Sequence, residues 1–169
     1  MSWLKLLSYP TAPDRLPRRA LLAGLLALSA CGLQPVYGPG GAATKLFGQV
    51  RPSEPDTPDA FIFNQRLAER LGGEGSTYDL DYTLRIGVVA QGITPDEITT
   101  RYSLNGSADF RLTDTASGAT VTQGQVSSFT SYSTTGTTVA TLTAEYDARQ
   151  RLARMLADQV VTRLLAAAP

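Results

Sequence analysis

The chain has 169 residues, with 15 Lys and Arg against 15 Asp and Glu, no histidine and one cysteine. A chain of this length buries roughly 70% of its unfolded surface and has room for one real core, while zero net charge argues against binding nucleic acid by bulk electrostatics. The missing histidine removes the commonest general base and metal ligand, and a lone cysteine removes intrachain disulfides and multi-cysteine zinc sites, so a binding or structural protein is the first reading.

The first thirty residues read as an address. Arg15, Arg18 and Arg19 precede an apolar run, Ala20–Leu28. That run is too short to cross a hydrocarbon core about 30 Å thick, which takes about 20 residues of helix, so it reads as a cleavable signal. Leu28-Ser29-Ala30-Cys31 resembles the lipobox of bacterial lipoproteins. The resemblance implies diacylation of the Cys31 thiol, cleavage between Ala30 and Cys31, and acylation of the new amine; two or more acyl chains anchor a protein stably. Gly32 rather than Asp follows the cysteine, which in lipoprotein sorting favours the outer membrane. Arg18-Arg19 leaves twin-arginine export open beside the general secretory route. Loss of the leader discards Lys5, Arg15, Arg18, Arg19 and Asp14, leaves Lys45 as the one lysine, and turns the net charge to about −3.

From Cys31 to Gly41, Pro and Gly predict an extended tether, drawn over 31–44. Lys45–Val50 is a short first strand, and Arg51–Pro58, with its prolines and acids, is a loop. Thr57-Pro58-Asp59 starts a helix over about 58–71, with a capping hydroxyl, a proline at the first position and an acid at the positive end of the dipole. Ala60, Phe63, Leu67 and Leu71 recur at helical spacing, and Gly72-Gly73 stops it. Strict alternation from Tyr78 to Val88 predicts a half-buried strand, Thr94-Pro95-Asp96 a turn, and Tyr102 to Leu112 a second alternating strand. After a turn over 113–118, Val121 to Tyr132 is a third strand, with a phase slip next to Gly124 that suggests a bulge. A Ser/Thr/Gly loop leads to a helix over 139–167 with Leu142, Tyr146, Leu152, Met155, Leu156, Val160 and Leu164 as its apolar stripe, interrupted by Arg149. The expected architecture is α+β: a two-layer sandwich of two helices on one face of a four-stranded, mixed, mainly antiparallel sheet, in the order β-α-β-β-β-α. The domain plan is signal 1–30, tether 31–44 and a single domain 45–169.

Cys31-Gly32-Leu33-Gln34-Pro35-Val36-Tyr37-Gly38 resembles the Cys-Gly-Phe-(Gln/Arg)-Pro-Leu-Tyr opening of the LptE family of lipopolysaccharide-assembly lipoproteins, alphaproteobacterial branch. Leu33 departs from the usual phenylalanine by a conservative apolar swap. The order of elements and the Arg- and Ala-rich last helix agree as well. The resemblance implies a non-enzymatic lipoprotein without cofactor or metal, anchored on the periplasmic side of the outer membrane. It also implies that the protein plugs and helps assemble the LptD β-barrel that delivers lipopolysaccharide to the outer leaflet. A pilotin-like escort of another outer-membrane complex is the alternative.

One sheet face carries Asp79, Asp81, Thr83, Arg85, Arg101, Ser103, Asn105, Ser107, Asp109 and Arg111, and the third strand is expected to add hydroxyls from Thr120 to Thr135. A barrel lumen is polar, and hydroxyls bond at small cost in side-chain entropy. Arg85, Arg101 and Arg111 are the candidate contacts for the phosphates of lipopolysaccharide, because guanidinium grips phosphate bidentately. Asp79 and Asp81 put two carboxyls side by side, as general acid–base work needs. Without a nucleophile or base beside them they read as part of a solvated face. Gly38-Pro39-Gly40-Gly41 lacks the strand and helix that flank a phosphate loop.

Overall fold

The computed structural model describes Gly38 and residues 41–93, 99–134 and 136–168. The signal segment, Ala30, Cys31 and the turn at Thr94-Pro95-Asp96 lie outside the described residues. The elements are α1 (Ala42–Leu46), β1 (Val50–Pro52), α2 (Pro58–Leu71), β2 (Tyr78–Ile93), β3 (Thr99–Asp114), β4 (Thr120–Ser133) and α3 (Thr138–Ala167). The strands form one sheet in the order β1-β2-β3-β4, with β1 parallel to β2 and the other pairs antiparallel. This is the expected α+β sandwich with one more helix.

That extra helix corrects the start of the domain. The strand expected over 45–50 lies instead at Val50–Pro52, taking Arg51 and Pro52 from the expected loop. Residues 42–44, assigned to the tether, belong to α1. The Gly41 carbonyl accepts the Thr44 N–H at 3.0 Å and its hydroxyl at 2.7 Å, which nucleates a turn. Burial of Ala43 and Leu46 then holds that turn against the core. Pro52 is tolerated because β1 is an edge strand.

α2 follows its sequence signals residue by residue. Thr57 Oγ1 accepts the Ala60 N–H at 3.1 Å, and Gly72, at φ +83°, ends the helix in a conformation open to glycine. Ala60, Ile62, Phe63, Leu67 and Leu71 are buried. The β3–β4 turn is tied by Asp114, whose carboxylate accepts from the Ser117 N–H, the Ser117 hydroxyl and the Ala116 N–H. Those bonds hold its carboxyl below the usual carboxylate range. The bulge in β4 is real but displaced: Leu112 pairs with Thr122 and Thr113 with Thr120, so Val121 is the extra residue. Gly124 stays in register opposite Phe110, whose ring would lie 3.4 Å from a Cβ there, an ordinary contact, and it does not break the strand.

α3 also differs from its expected stripe. The buried face runs through Ala148, Leu152, Ala153, Leu156, Ala157, Val160, Val161, Leu164 and Leu165. Leu142 and Tyr146, expected in the core, are 62% and 57% exposed. The reason is the length of α2, which begins level with Arg149: the guanidinium of Arg149 reaches Asp59 and Glu145, each at 3.1 Å. Nothing among the described helices lies beside α3 above that point. Further along, Asp158 takes a bidentate grip from Arg66 at 3.0 and 3.1 Å and a contact from Arg70 at 3.4 Å. The two helices therefore run parallel, each seam closed by an arginine.

α3 meets the sheet over Gly106. A Cβ there would stand 3.0 Å from methyls of both Leu152 and Leu156. Beside it, α2 seats Phe63 against Tyr82, ring centroids 4.7 Å apart. The Tyr82 hydroxyl and Asn64 Oδ1 are the buried side-chain polar atoms without a hydrogen-bond partner among the described residues. Burial, with a smaller contribution from the nearby Asp56 charge, pushes the Tyr82 phenol up to about 12.

Two outcomes follow for stability. Gly106→Val is expected to cost about 1–3 kcal/mol by forcing α3 off β3, read as a lowered midpoint in urea at unchanged m-value; an unchanged midpoint would show that the helix shifts freely. For Tyr82, the unfolded phenol ionises near 10 and the folded one near 12. Its contribution is therefore complete below pH 10 and is lost as pH rises to 12. Tyr82→Phe should flatten that part of the stability–pH curve, measured by denaturant unfolding at fixed pH steps.

Candidate functional site

The face of the sheet away from the helices is the one large polar surface that the fold organises. Strand alternation places Asp79, Asp81, Thr83 and Arg85 of β2 there, with Arg101, Asn105, Ser107, Asp109 and Arg111 of β3 and Ser103, which is itself buried. Register refines the share of β4. Thr122, Ser128 and Thr130 pair with Leu112, Gly106 and Leu104 and so lie on the helix side. Gln123, Gln125, Ser127, Phe129, Ser131 and Ser133 fill the outer face instead. The two glutamines and Phe129, 72% exposed, are missed by a reading that looks only for hydroxyls. The inward phase of Val126 and Tyr132 is the signal that points them out.

The three arginines do not converge. Arg111 stands opposite Asp81, Arg85 opposite Ser107, and Arg101 opposite Gln91. At about 3.3 Å per residue, Arg85 is about 13 Å from the level of Arg111 and about 20 Å from that of Arg101. They form a line along the sheet. Arg85 is paired with Asp109, its diagonal neighbour, and Gln125 donates to the same carboxylate at 2.7 Å. That cluster ties β2, β3 and β4 together on the polar face. Arg101 and Arg111 carry no carboxylate partner among the described residues and are both exposed.

The two aspartates are likewise separated in role. Asp79 binds Arg51 of β1 at 2.7 Å. Asp81 lines an open cleft of about 580 Å³ with Thr83, Asp109, Arg111 and Gln123. The cleft offers hydrogen-bond donors and acceptors to a broad partner, with no hydroxyl or thiol held by a base in the manner of a nucleophile. Ala30 and Cys31 lie outside the described residues, so their expected cleavage and acylation rest on the lipobox. No described helix is long and apolar enough to cross a membrane.

Helices cover one face of the sheet and leave the other long and polar, the architecture of a two-layer α+β sandwich. A family model described as LptE, lipopolysaccharide-assembly, matches residues 49–164. The chain belongs to that family, a group of non-enzymatic lipoproteins, and its work lies in lipopolysaccharide assembly. Among solved structures it is similar to a lipoprotein from Caulobacter crescentus CB15, with 21% identity and a TM-score of 0.63 over 76% of this chain and 96% of that one. It is also similar to rare lipoprotein B from Shewanella oneidensis, with 12% identity and a TM-score of 0.54 over 70% and 92% of the two chains. A minor lipoprotein from Acinetobacter baumannii gives 19%, 0.54, 71% and 92% in the same order. At these identities the likeness is one of fold. No curated protein sequence matches the chain closely.

Arg101→Ala and Arg111→Ala are each expected to move the thermal midpoint by no more than about 2–4 °C, because an exposed charge contributes under about 1 kcal/mol. Scanning calorimetry checks this; a larger drop would make them parts of the fold and not a surface free for a partner.

Proposed function

We propose that this protein is an outer-membrane lipoprotein, held on the periplasmic side through acylated Cys31. It plugs the LptD β-barrel translocon, assists its assembly, and so takes part in moving lipopolysaccharide to the outer leaflet. The observation that carries the reading is the outer sheet face. It spans strands of 16, 16 and 14 residues and carries hydroxyls, amides and a few arginines. A barrel lumen is lined with polar groups, and a filling surface needs many modest hydrogen bonds over a broad area more than one deep pocket. Short side chains lose little entropy when fixed against a wall. Family membership supplies the process in which such a plug would work.

On this reading Arg101 and Arg111 are the residues of the face that are free to meet the phosphates of the glycolipid. Arg85 is already engaged by Asp109 and would contribute less. A guanidinium without a carboxylate partner keeps its bidentate donor pair for an incoming phosphate.

Affinity purification of the tagged protein from envelopes should bring down a β-barrel of the lipopolysaccharide pathway. Recovery of a secretin without such a barrel would sink the reading in favour of a pilotin. In parallel, Cys31→Ala should abolish incorporation of labelled palmitate, since no other thiol exists in the chain; continued labelling would place the anchor elsewhere.

A further inference from the structure

β2 is much longer than the strand beside it. β1 pairs only with Tyr78–Leu80, so from Asp81 to Ile93 the edge of β2 away from β3 has no strand against it among the described residues. At its start the Tyr78 N–H donates to the Gln49 carbonyl and the Leu80 carbonyl accepts from the Ser53 N–H, both at 2.9 Å. The period of two then turns the backbone groups of Leu84, Ile86, Val88 and Ala90 to the same open edge. Exposed edges in soluble proteins are usually guarded by charge, proline or a bulge. From Leu84 to Ile93 there is no proline and one charge, Arg85, which lies on the outer face and is engaged by Asp109, and pairing with β3 runs in step from Tyr78 to Gln91.

The side chains beside this edge are apolar on the helix side. α2 lies over β2 at Tyr82 and begins level with Arg149. Above it the inner face of β2 continues as Leu84, Ile86 and Val88, and Val88 is 44% exposed. The face of α3 that meets α2 lower down, through Ala153, Ala157 and Val160, continues upward at helical spacing as Val139, Leu142 and Tyr146. These are 74%, 62% and 57% exposed. We read these exposed apolar side chains, on the free end of β2 and the free first turns of α3, as the floor and wall of a trough beside the unpaired strand edge.

The shape selects its occupant. A strand added to β2 would alternate: one set of side chains would fall into the apolar trough and the other would join the polar outer face. The open run from Asp81 to Ile93 is thirteen residues, long enough for a membrane-crossing β-strand of about ten residues, which alternates in the same way. A helix laid in the trough would leave the β2 backbone groups unpaired. A charged segment would bury its charge against Val88 and Leu142 without a partner. We propose that the open edge of β2, over Leu84–Ala90, is a docking site that holds one alternating, uncharged β-strand of the barrel partner before that barrel closes. The proposal rests on the reading of this protein as a barrel-assembly lipoprotein and names the surface that does the assembling.

The test uses the purified mature lipoprotein in a zwitterionic detergent and two labelled synthetic peptides of about ten residues. In one, Val and Leu alternate with Thr and Ser; the other has the same composition with its apolar residues in one block. Fluorescence anisotropy should show the alternating peptide binding at least about tenfold tighter. Amide exchange should slow at Leu84, Ile86, Val88 and Ala90. Val88→Pro deletes an edge-facing N–H without touching the β3 ladder, and Leu142→Glu charges the wall; each should lower affinity about tenfold or more. Equal affinity for the two peptides, protection confined to other strands, or unchanged binding in both variants would overturn the proposal. So would a dimer joined through this edge that the peptide does not open, since the occupant would then be a second copy. If an envelope purification yields the barrel while the peptides are not distinguished, only this inference falls; if no barrel is recovered, the underlying reading falls with it.

Discussion

The approach of α3 to β3 at Gly106 is the contact on which the remaining geometry depends. A helix lies close to a sheet only where neither surface bulges, and here both sides are trimmed. Gly106, Ala108 and Ser128 lie beneath the helix, and α3 contributes Ala148, Ala153 and Ala157 among its larger leucines and valines. Once α3 is seated, the place beside it is set, and α2 fills it with Phe63 against Tyr82. The ion pairs at Asp59 and Asp158 then close the rim of the seam between the helices. Exposed pairs of this kind contribute little energy singly; their value lies in fixing how far α2 slides along α3, and hence where the covered part of the sheet ends.

Elements whose pattern is local were legible in the sequence. α2 was readable from Thr57 to Gly72 because cap, first-turn proline and stop all act within a few residues of where they sit. β2 and β3 were readable because alternation is imposed by one buried face. The failures share a cause. Leu142 and Tyr146 have the spacing of core residues, and only the starting point of α2, a long-range matter, decides that no described helix covers them. Val121 rather than Gly124 carries the bulge because Gly124 stays in register opposite Phe110 across the sheet, which no local pattern reveals. The first strand moved because Ala43 and Leu46 bury better as one helical turn than Lys45–Val50 would as an edge strand.

The candidate face was legible as a surface but not as a set of pairings. Alternation placed the three arginines on one side of the sheet. Register was needed to show that Arg85 is held by Asp109 while Arg101 and Arg111 have no carboxylate partner among the described residues, and that they are spread along the strands. The face therefore carries a diffuse line of cations, with Asp79, Asp81 and Asp109, among hydroxyls and amides, and not one compact ion site. The glutamines of β4 add amide donors and acceptors to the same surface.

The inequality between β1 and its neighbours has a mechanical consequence. The route from the residues before Gly41 into the domain passes through α1 and the three residue pairs of β1 before it reaches the three-stranded meander. Local opening proceeds through the least cooperative unit first, and these two elements can detach without breaking a single bond of the β2–β3–β4 ladder. A pull on the chain before Gly41 would load this small clasp first and would uncover Leu46 and Val50, while the β2–β3–β4 ladder stays paired. The clasp and the polar face share one chain but strain independently.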